Sequence, residues 1–245
     1  VRDLAVVTWL WAAPESPFGP EYVNRLHSML QRHLRAPHKL YCITDNPVTD
    51  FDSGIETVSM SPNFLRHADM RAGNRSCFRR LRIFDAGMAL DFGPRILQLD
   101  LDAVIVDDVT PLFARTEPLV LCVQNRPARR TVYNPSAALF DAGVLHEMWE
   151  RFDAAPRETW LEAKRRGWSC SDMAVINDFV SRLPVGDPRR PAAWTEAEGM
   201  VAYWRDVKKD GALPPGARMV LFYGNSNPGD ASVQAKSPWV AEHWR

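Results

Sequence analysis

Arg95-Ile96-Leu97-Gln98-Leu99-Asp100-Leu101-Asp102-Ala103-Val104-Ile105-Val106-Asp107-Asp108 is a mainly apolar run that delivers two carboxylates one residue apart and departs at once as a second apolar run. The Ile- and Leu-rich segment before Asp100 reads as a buried strand. In an extended chain residues i and i+2 point to the same side, so Asp100 and Asp102 are predicted to converge on one point. That geometry suits Mn²⁺ or Mg²⁺, ions held by one or two carboxylates that complete their shells with water and substrate phosphates. Asp107 and Asp108 read as a turn and helix start before Pro111-Leu112-Phe113.

Upstream, Leu4 to Trp11 is apolar apart from Thr8 and rich in Val and Trp, which predicts a buried strand. A Pro- and Gly-bearing loop follows. Val23, Leu26, Leu30 and Leu34 then recur at spacings of three and four, placing them on one helical face. Lys39 to Thr44 reads as a second strand, closed by the Asp45-Asn46-Pro47 turn signal. This β-loop-α-β order is what a parallel sheet with crossover connections requires, so residues 1–45 read as a nucleotide-binding half. Ligands of open α/β sheets bind outside the carboxyl ends of the strands, which makes Thr8, Trp9 and Asp45 candidates for base and ribose contacts.

Ile55 to Met60 predicts another short strand, followed by a polar loop from Ser61 to Arg75. Phe78, Leu81, Phe84 and Met88 keep a helical stripe from near Ser76, with Arg79, Arg80 and Arg82 on other faces. Arg75 and Arg79, at the start of that helix, are candidates for phosphate contact, assisted by the amide groups there. The alternative for such a charge run is a solvated face.

The 245 residues carry 30 basic and 30 acidic side chains, so no bulk field draws the chain to nucleic acid or anionic lipid, and phosphate recognition has to be local. Cys42, Cys77, Cys122 and Cys170 lie far apart without a CxxC pair, which argues against a zinc site and a disulfide framework. Reduced thiols and a cytoplasmic location follow as expectations, peripheral to the membrane where the acceptor is lipid-linked. No apolar run reaches the roughly 20 residues of a membrane span. The absence of Met at Val1 is read as an engineered or incomplete start, which leaves room for a lost leader.

The run Leu97 to Val106 with Pro111-Leu112-Phe113 resembles the DxD region of GT-A glycosyltransferases, in particular the glycogenin-like and bacterial lipopolysaccharide galactosyltransferase group. The resemblance implies a GT-A fold: a single α/β domain, 1–245, with a mixed, mainly parallel central sheet flanked by helices. Residues 1–108 would bind the donor and end in the DxD motif; residues 109–245 would bind the acceptor and close the site. It implies that Asp100 and Asp102 coordinate the metal and contact the donor. Tyr133 to Phe140 is similar to the family's Asn-Ser-Gly strand, with Asn134 and Ser136 toward sugar hydroxyls, although Pro135 and Ala137 depart from the pattern. Trp168 to Met173 is similar to the Asp-Gln segment, with Asp172 toward the transferred sugar and Met173 in place of Gln. Val220 to Pro228 resembles the closing Gly-x-x-Lys-Pro loop, giving Gly224, Asn225 and Asn227 as donor contacts.

That loop lacks two family features. The expected His ligand falls on Leu221 in one register and Tyr223 in another, and the expected Lys falls on Asn227. Asn225, Asn227, His243 or water are the substitutes for the third ligand. Trp239 and Trp244 resemble a tail packed near the donor site.

The resulting expectation is a hexosyltransferase moving sugar from a nucleotide-sugar, with UDP as the expected nucleotide, to a saccharide or other hydroxyl acceptor. The resemblance implies retention at the anomeric carbon; inversion would call on Asp141 or Asp172 as general base. Competing readings are a non-catalytic nucleotide-sugar binder, a haloacid-dehalogenase-like phosphatase with Asp100 as nucleophile, and a nucleotidyltransferase. The phosphatase needs a second acidic motif, for which Asp187 is the nearest candidate.

Overall fold

The computed structural model of the chain describes residues 3–12, 16–45, 50–60, 64, 77–123, 132–224 and 226–245. β1 (Leu4–Leu10) leads through α1 (Pro20–His33) to β2 (His38–Thr44), and β3 (Ile55–Ser59) follows. A 3₁₀ helix (Cys77–Phe84) and α2 (Met88–Phe92) precede β4 (Arg95–Leu99) and β5 (Ala103–Ile105). Next come α3 (Thr110–Phe113), β6 (Leu119–Val123), β7 (Tyr133–Asp141), α4 (His146–Ala154), α5 (Pro156–Arg165) and α6 (Asp172–Ser181). The remainder holds β8 (Ala192–Trp194), β9 (Met200–Ala202), a π-helical turn (Tyr203–Val207), β10 (Met219–Leu221), α7 (Ala231–Lys236) and α8 (Trp239–His243).

The main sheet runs β3-β2-β1-β4-β7-β6-β8. β3, β2, β1 and β4 are mutually parallel, β7 runs antiparallel to β4 and β6, and β8 returns parallel to β6. This is the mixed, mainly parallel sheet expected from the sequence. A second sheet, β5-β10-β9, was not foreseen.

Alternation along the central strands splits the interior into two apolar layers. Val6, Leu10, Leu97, Leu99 and Leu139 face a layer with Val23, Leu26 and Leu30 of α1, the small sheet and Trp244. Ala5, Val7, Trp9, Ile96 and Phe140 face the other, with Phe78, Leu81 and Phe84, then Trp149 and Phe152 of α4, and Ile176 of α6. A strand covered on both faces has to be apolar at nearly every position, which is why β1 and β4 read as continuous hydrophobic runs.

The helix expected from Phe78 to Met88 is corrected in kind. Residues 77–84 form a 3₁₀ helix, and Met88 belongs to α2 beyond a break at Asp85–Gly87. The break is fixed by Asp85 Oδ1 accepting from the Gly87 amide at 3.0 Å and by His146 Nδ1 accepting from the Ala86 amide at 3.2 Å. Phe78, Leu81 and Phe84 recur at three, the period of the tighter helix.

The C-terminal helices are tied down at Gly211, whose carbonyl accepts from Trp239 Nε1 at 2.9 Å and whose amide donates to Val207 O at 2.8 Å. Its φ is +79°, and a Cβ there would stand 2.1 Å from the Lys236 carbonyl oxygen. Gly211→Ala is therefore expected to cost about 2 kcal/mol or more, lowering Tm by roughly 4–8 °C; a thermal melt with an unchanged midpoint would refute this account of the tail.

Candidate active site

β5 leaves the main sheet directly after Asp102, so the acidic segment is the turn between the two sheets. Asp100 N donates to Ser136 O at 2.8 Å and Ala103 N to Asp100 O at 3.3 Å. The two carboxylates are thus brought together by a turn, not by the extended i, i+2 geometry expected from the sequence. Strand register brings the other parts. Leu99 pairs with Ala137, which sets Ser136 and Asn134 behind Asp100. Leu221 pairs with Ala103, so the chain leaving β10 passes beside Asp102.

These elements enclose a cavity of about 540 Å³ at the carboxyl ends of β1 and β4. Trp9, Leu10 and Trp11 line it from β1 and its exit, with Ser16, Pro17 and Phe18 from the loop before α1. Cys77, Arg80, Asp100, Leu101, Asp102, Gly224 and Asn227 complete the lining.

Arg80 is the residue that sequence reasoning missed. Its Nε and Nη2 donate to Asp172 Oδ2 at 3.0 and 2.7 Å, and its Nη1 bonds Asp100 Oδ1. The Arg80 and Asp172 side chains are 10% and 4% exposed, so this ion pair is desolvated. Burial acts against the charge of Arg80, but Asp100 and Asp172 outweigh it and hold the guanidinium proton well above its usual range.

Burial pushes the Asp100 carboxyl up, with Asp172 adding to the rise, while Arg80 and the Ser136 hydroxyl hold it down. Asp102 is pushed well above the usual carboxylate range by burial and then by Asp100. Its charged form is short of compensation. Burial also raises the Cys77 thiol to about 11, against the pull of Arg80, so it is a neutral thiol at neutral pH.

Other predicted residues fall in three groups. Trp9, Asp100, Asp102, Gly224 and Asn227 line the cavity. Thr8, Asp45, Arg79, Asn134 and Asp172 do not, and each is engaged elsewhere. Thr8 Oγ1 donates to Leu99 O at 2.9 Å, and Asp45 Oδ1 accepts from the Ala12 amide at 3.0 Å. Arg79 is buried and its guanidinium lies 4.6 Å from the Trp11 ring centre, which overturns the solvated face as the alternative reading. Asn134 Oδ1 accepts from the Ser136 amide at 2.9 Å and hydroxyl at 2.8 Å. Asp172 is committed to Arg80. Arg75 and Asn225 lie outside the described residues.

Of the substitute third ligands, Asn227 lines the same cavity as Asp100 and Asp102, whereas His243 faces His33 with ring centres 6.4 Å apart. At the two positions where the family's His falls, Leu221 is buried in the core and Tyr223 lines a second cavity. Among the described residues, no group of three or more His, Cys, Asp and Glu side chains could hold a metal. Trp244 packs on Tyr22, ring centres 4.8 Å apart, beneath Arg25, so its contact is structural. Asp187 is paired with Arg189 at 2.8 Å and does not line the cavity that holds Asp100, which leaves the phosphatase reading without its second acidic motif there.

No family model matches the sequence, and no curated protein matches it. Among solved structures the chain is similar to the galactosyltransferase LgtC in complex with donor and acceptor sugar analogs. The TM-score is 0.65 at 10% identity, covering 98% of this chain and 94% of that one. An active-site mutant of LgtC gives a TM-score of 0.61 at 10% identity, covering 98% and 96%. The chain therefore has the GT-A glycosyltransferase fold, the fold that its DxD region resembles. At such identity the likeness carries the fold, and the chemistry has to be argued from the residues.

Removing one member of a buried ion pair strands the other. Arg80→Met is expected to lower the unfolding free energy by about 3 kcal/mol in urea titration. Arg80→Met combined with Asp172→Leu should recover part of the loss; strictly additive costs would show the pair uncoupled.

Proposed function

We propose that this chain is a glycosyltransferase that moves a hexose from a nucleotide-sugar, UDP-linked in the first instance, to a hydroxyl of a saccharide or related acceptor. The observation that carries the proposal is the cavity itself, which is lined by the charged Asp100, Asp102 and Arg80 together with the apolar Leu10, Trp11, Pro17 and Phe18. A nucleoside diphosphate likewise combines charge with flat apolar surface. The shared fold with a galactosyltransferase supports the reading.

Asp100 and Asp102 fit a cation of the Mn²⁺ or Mg²⁺ type, because Asp102 is an undercompensated carboxylate and such ions accept one or two protein carboxylates. When bound, the ion supplies Lewis-acid neutralisation of the departing diphosphate. The other residues hold this arrangement in place. Asp172 fixes Arg80 and Asn134 fixes Ser136, and both Arg80 and Ser136 bear on Asp100; in this reading the two predicted catalytic residues act by positioning. Asn227 offers its side-chain amide to phosphate, and Gly224, at φ +111°, lets the loop turn beside Asp102.

In the reaction the acceptor hydroxyl oxygen bonds to the anomeric carbon as the sugar–phosphate C–O bond breaks, the nucleoside diphosphate leaves with the electron pair, and the hydroxyl proton passes to the departing phosphate oxygen. Retention of configuration suits the site. Asp141 is paired with Arg95 at the opposite end of β4, and Asp172 is buried on Arg80, so neither is placed as the base that inversion needs. The second cavity, about 190 Å³ and lined by Thr195, Glu196, Arg205 and Tyr223, is the reading for the acceptor saccharide, within the 109–245 half. All four cysteines are free, in keeping with a reducing, cytoplasmic setting. Among the described residues no helix is long and apolar enough to cross a membrane.

Asp102→Asn is expected to reduce Mn²⁺-dependent release of nucleoside diphosphate by on the order of 100-fold or more, with the far-UV circular dichroism unchanged. Undiminished release would overturn the metal assignment. Binding without any release by the wild-type chain would instead favour the non-catalytic reading.

A further inference from the structure

The second cavity adjoins the first along the chain, since Tyr223 lines one and Gly224 the other. Arg205 is held in its lining by an uncommon piece of backbone. Tyr203–Val207 is a single π-helical turn, closed by the Lys208 amide donating to Tyr203 O at 2.7 Å; such turns are rare and occur often at functional sites. The turn sets Asp206 beside Arg205, so that Nε and Nη2 of the guanidinium both donate to its carboxylate, Nη2 to Oδ2 at 2.7 Å. Asp206 Oδ2 also accepts from the Ala202 amide at 2.8 Å, and the Asp206 side chain is 9% exposed. A two-point, charge-assisted contact of this kind fixes the plane of the guanidinium.

Glu196 also lines this cavity, and its Oε2 stands 3.8 Å from Arg205 Nη2, beyond hydrogen-bond distance. The lining thus presents a fixed donor and a carboxylate acceptor side by side. Of the groups that a saccharide carries, a hydroxyl can serve both, because it donates one proton and accepts through its lone pairs. A carboxylate or phosphate satisfies Arg205 but is repelled by Glu196. Trp194 and Tyr223 add aromatic surface against which the apolar face of a sugar can lie. Resting on the reading of this cavity as the acceptor site, we infer that it selects a neutral sugar ring whose hydroxyls are gripped between Arg205 and Glu196, with Asp206 as the positioning residue behind Arg205.

The test measures transfer from UDP-glucose and UDP-galactose, with Mn²⁺, to the methyl glycosides of glucose, galactose and mannose and to those of glucuronic and galacturonic acid. The expected result is transfer to a neutral glycoside, preferred by roughly 10-fold or more in kcat/KM over either uronide. A uronide used equally well overturns the inference, and no transfer to any of these sugars overturns the saccharide acceptor itself. Calorimetric titration with UDP and Mn²⁺ checks the donor site separately. Arg205→Gln is expected to raise the acceptor KM on the order of 10-fold, with kcat and UDP binding unchanged. Arg205→Lys should not restore it, because an ammonium cannot make the planar two-point contact with Asp206. If Arg205→Gln leaves KM unchanged while the cavity-filling Val123→Trp raises it, the inference alone falls; if neither moves it, the acceptor site falls as well. Glu196→Gln should narrow the gap between neutral glycoside and uronide. As Glu196 is 63% exposed, that variant decides the inference even where the arginine variants do not fold.

Discussion

The guanidinium of Arg80 lies between two carboxylates that belong to distant parts of the chain, Asp100 at the end of β4 and Asp172 at the start of α6. A desolvated arginine is tolerable only when its donors are met by charge, and two desolvated carboxylates are tolerable only around a cation. Each therefore fixes the others. The pairing ties the main sheet to α6 and orients the Asp100 carboxylate. Ser136, steadied by Asn134, supports Asp100 from the neighbouring strand. The groups that give the cavity its charge are thus also the groups that join its walls.

The acidic turn has a second constraint, set by topology. Asp100 ends a strand of one sheet and Ala103 starts a strand of another, so the intervening residues cannot continue either ladder. Asp100, Leu101 and Asp102 instead line the cavity. β10 then runs antiparallel to β5, so that the chain leaving Leu221 passes beside Asp102. Residues more than 100 positions apart in sequence meet there because of backbone pairing, independent of any side-chain contact between them.

What the sequence revealed follows from the range of the forces involved. The apolar runs of β1 and β4 and the stripe of α1 are local patterns, and they were legible because burial on both faces or on one face leaves a direct periodic trace. Asp100 and Asp102 were legible because two carboxylates at a strand end have few structural uses. Arg80 was hidden among Arg79 and Arg82, chemically the same, and only the helical period separates them. At three residues per turn Cys77 and Arg80 share one row and both line the cavity, whereas Phe78, Leu81 and Phe84 share the row in the core. An expectation built on 3.6 residues per turn directs attention to the wrong arginine. Thr8 and Asp45 were placed at the right strand ends, but their hydrogen bonds go to backbone groups that only the fold brings within reach. The β5-β10-β9 sheet left no local signal, since its three-residue strands are specified by non-local pairing.

The charges of the site also explain how a two-carboxylate metal motif can suffice. Asp100, Asp102 and Asp172 face a single guanidinium, and the raised pKa of Asp102 marks the imbalance. A diphosphate entering that field would add further negative charge, which the single charge of Arg80, already shared between Asp100 and Asp172, does not offset. Positive charge has to arrive with the ligand. On the function proposed above, a divalent ion held by Asp100 and Asp102 would meet that need, since such ions accept one or two protein carboxylates and complete their shells with phosphate and water. On this view the absence of histidine at Leu221 and Tyr223 shifts the work of holding the ion from the protein to the donor, and affinity for the ion becomes coupled to affinity for the diphosphate.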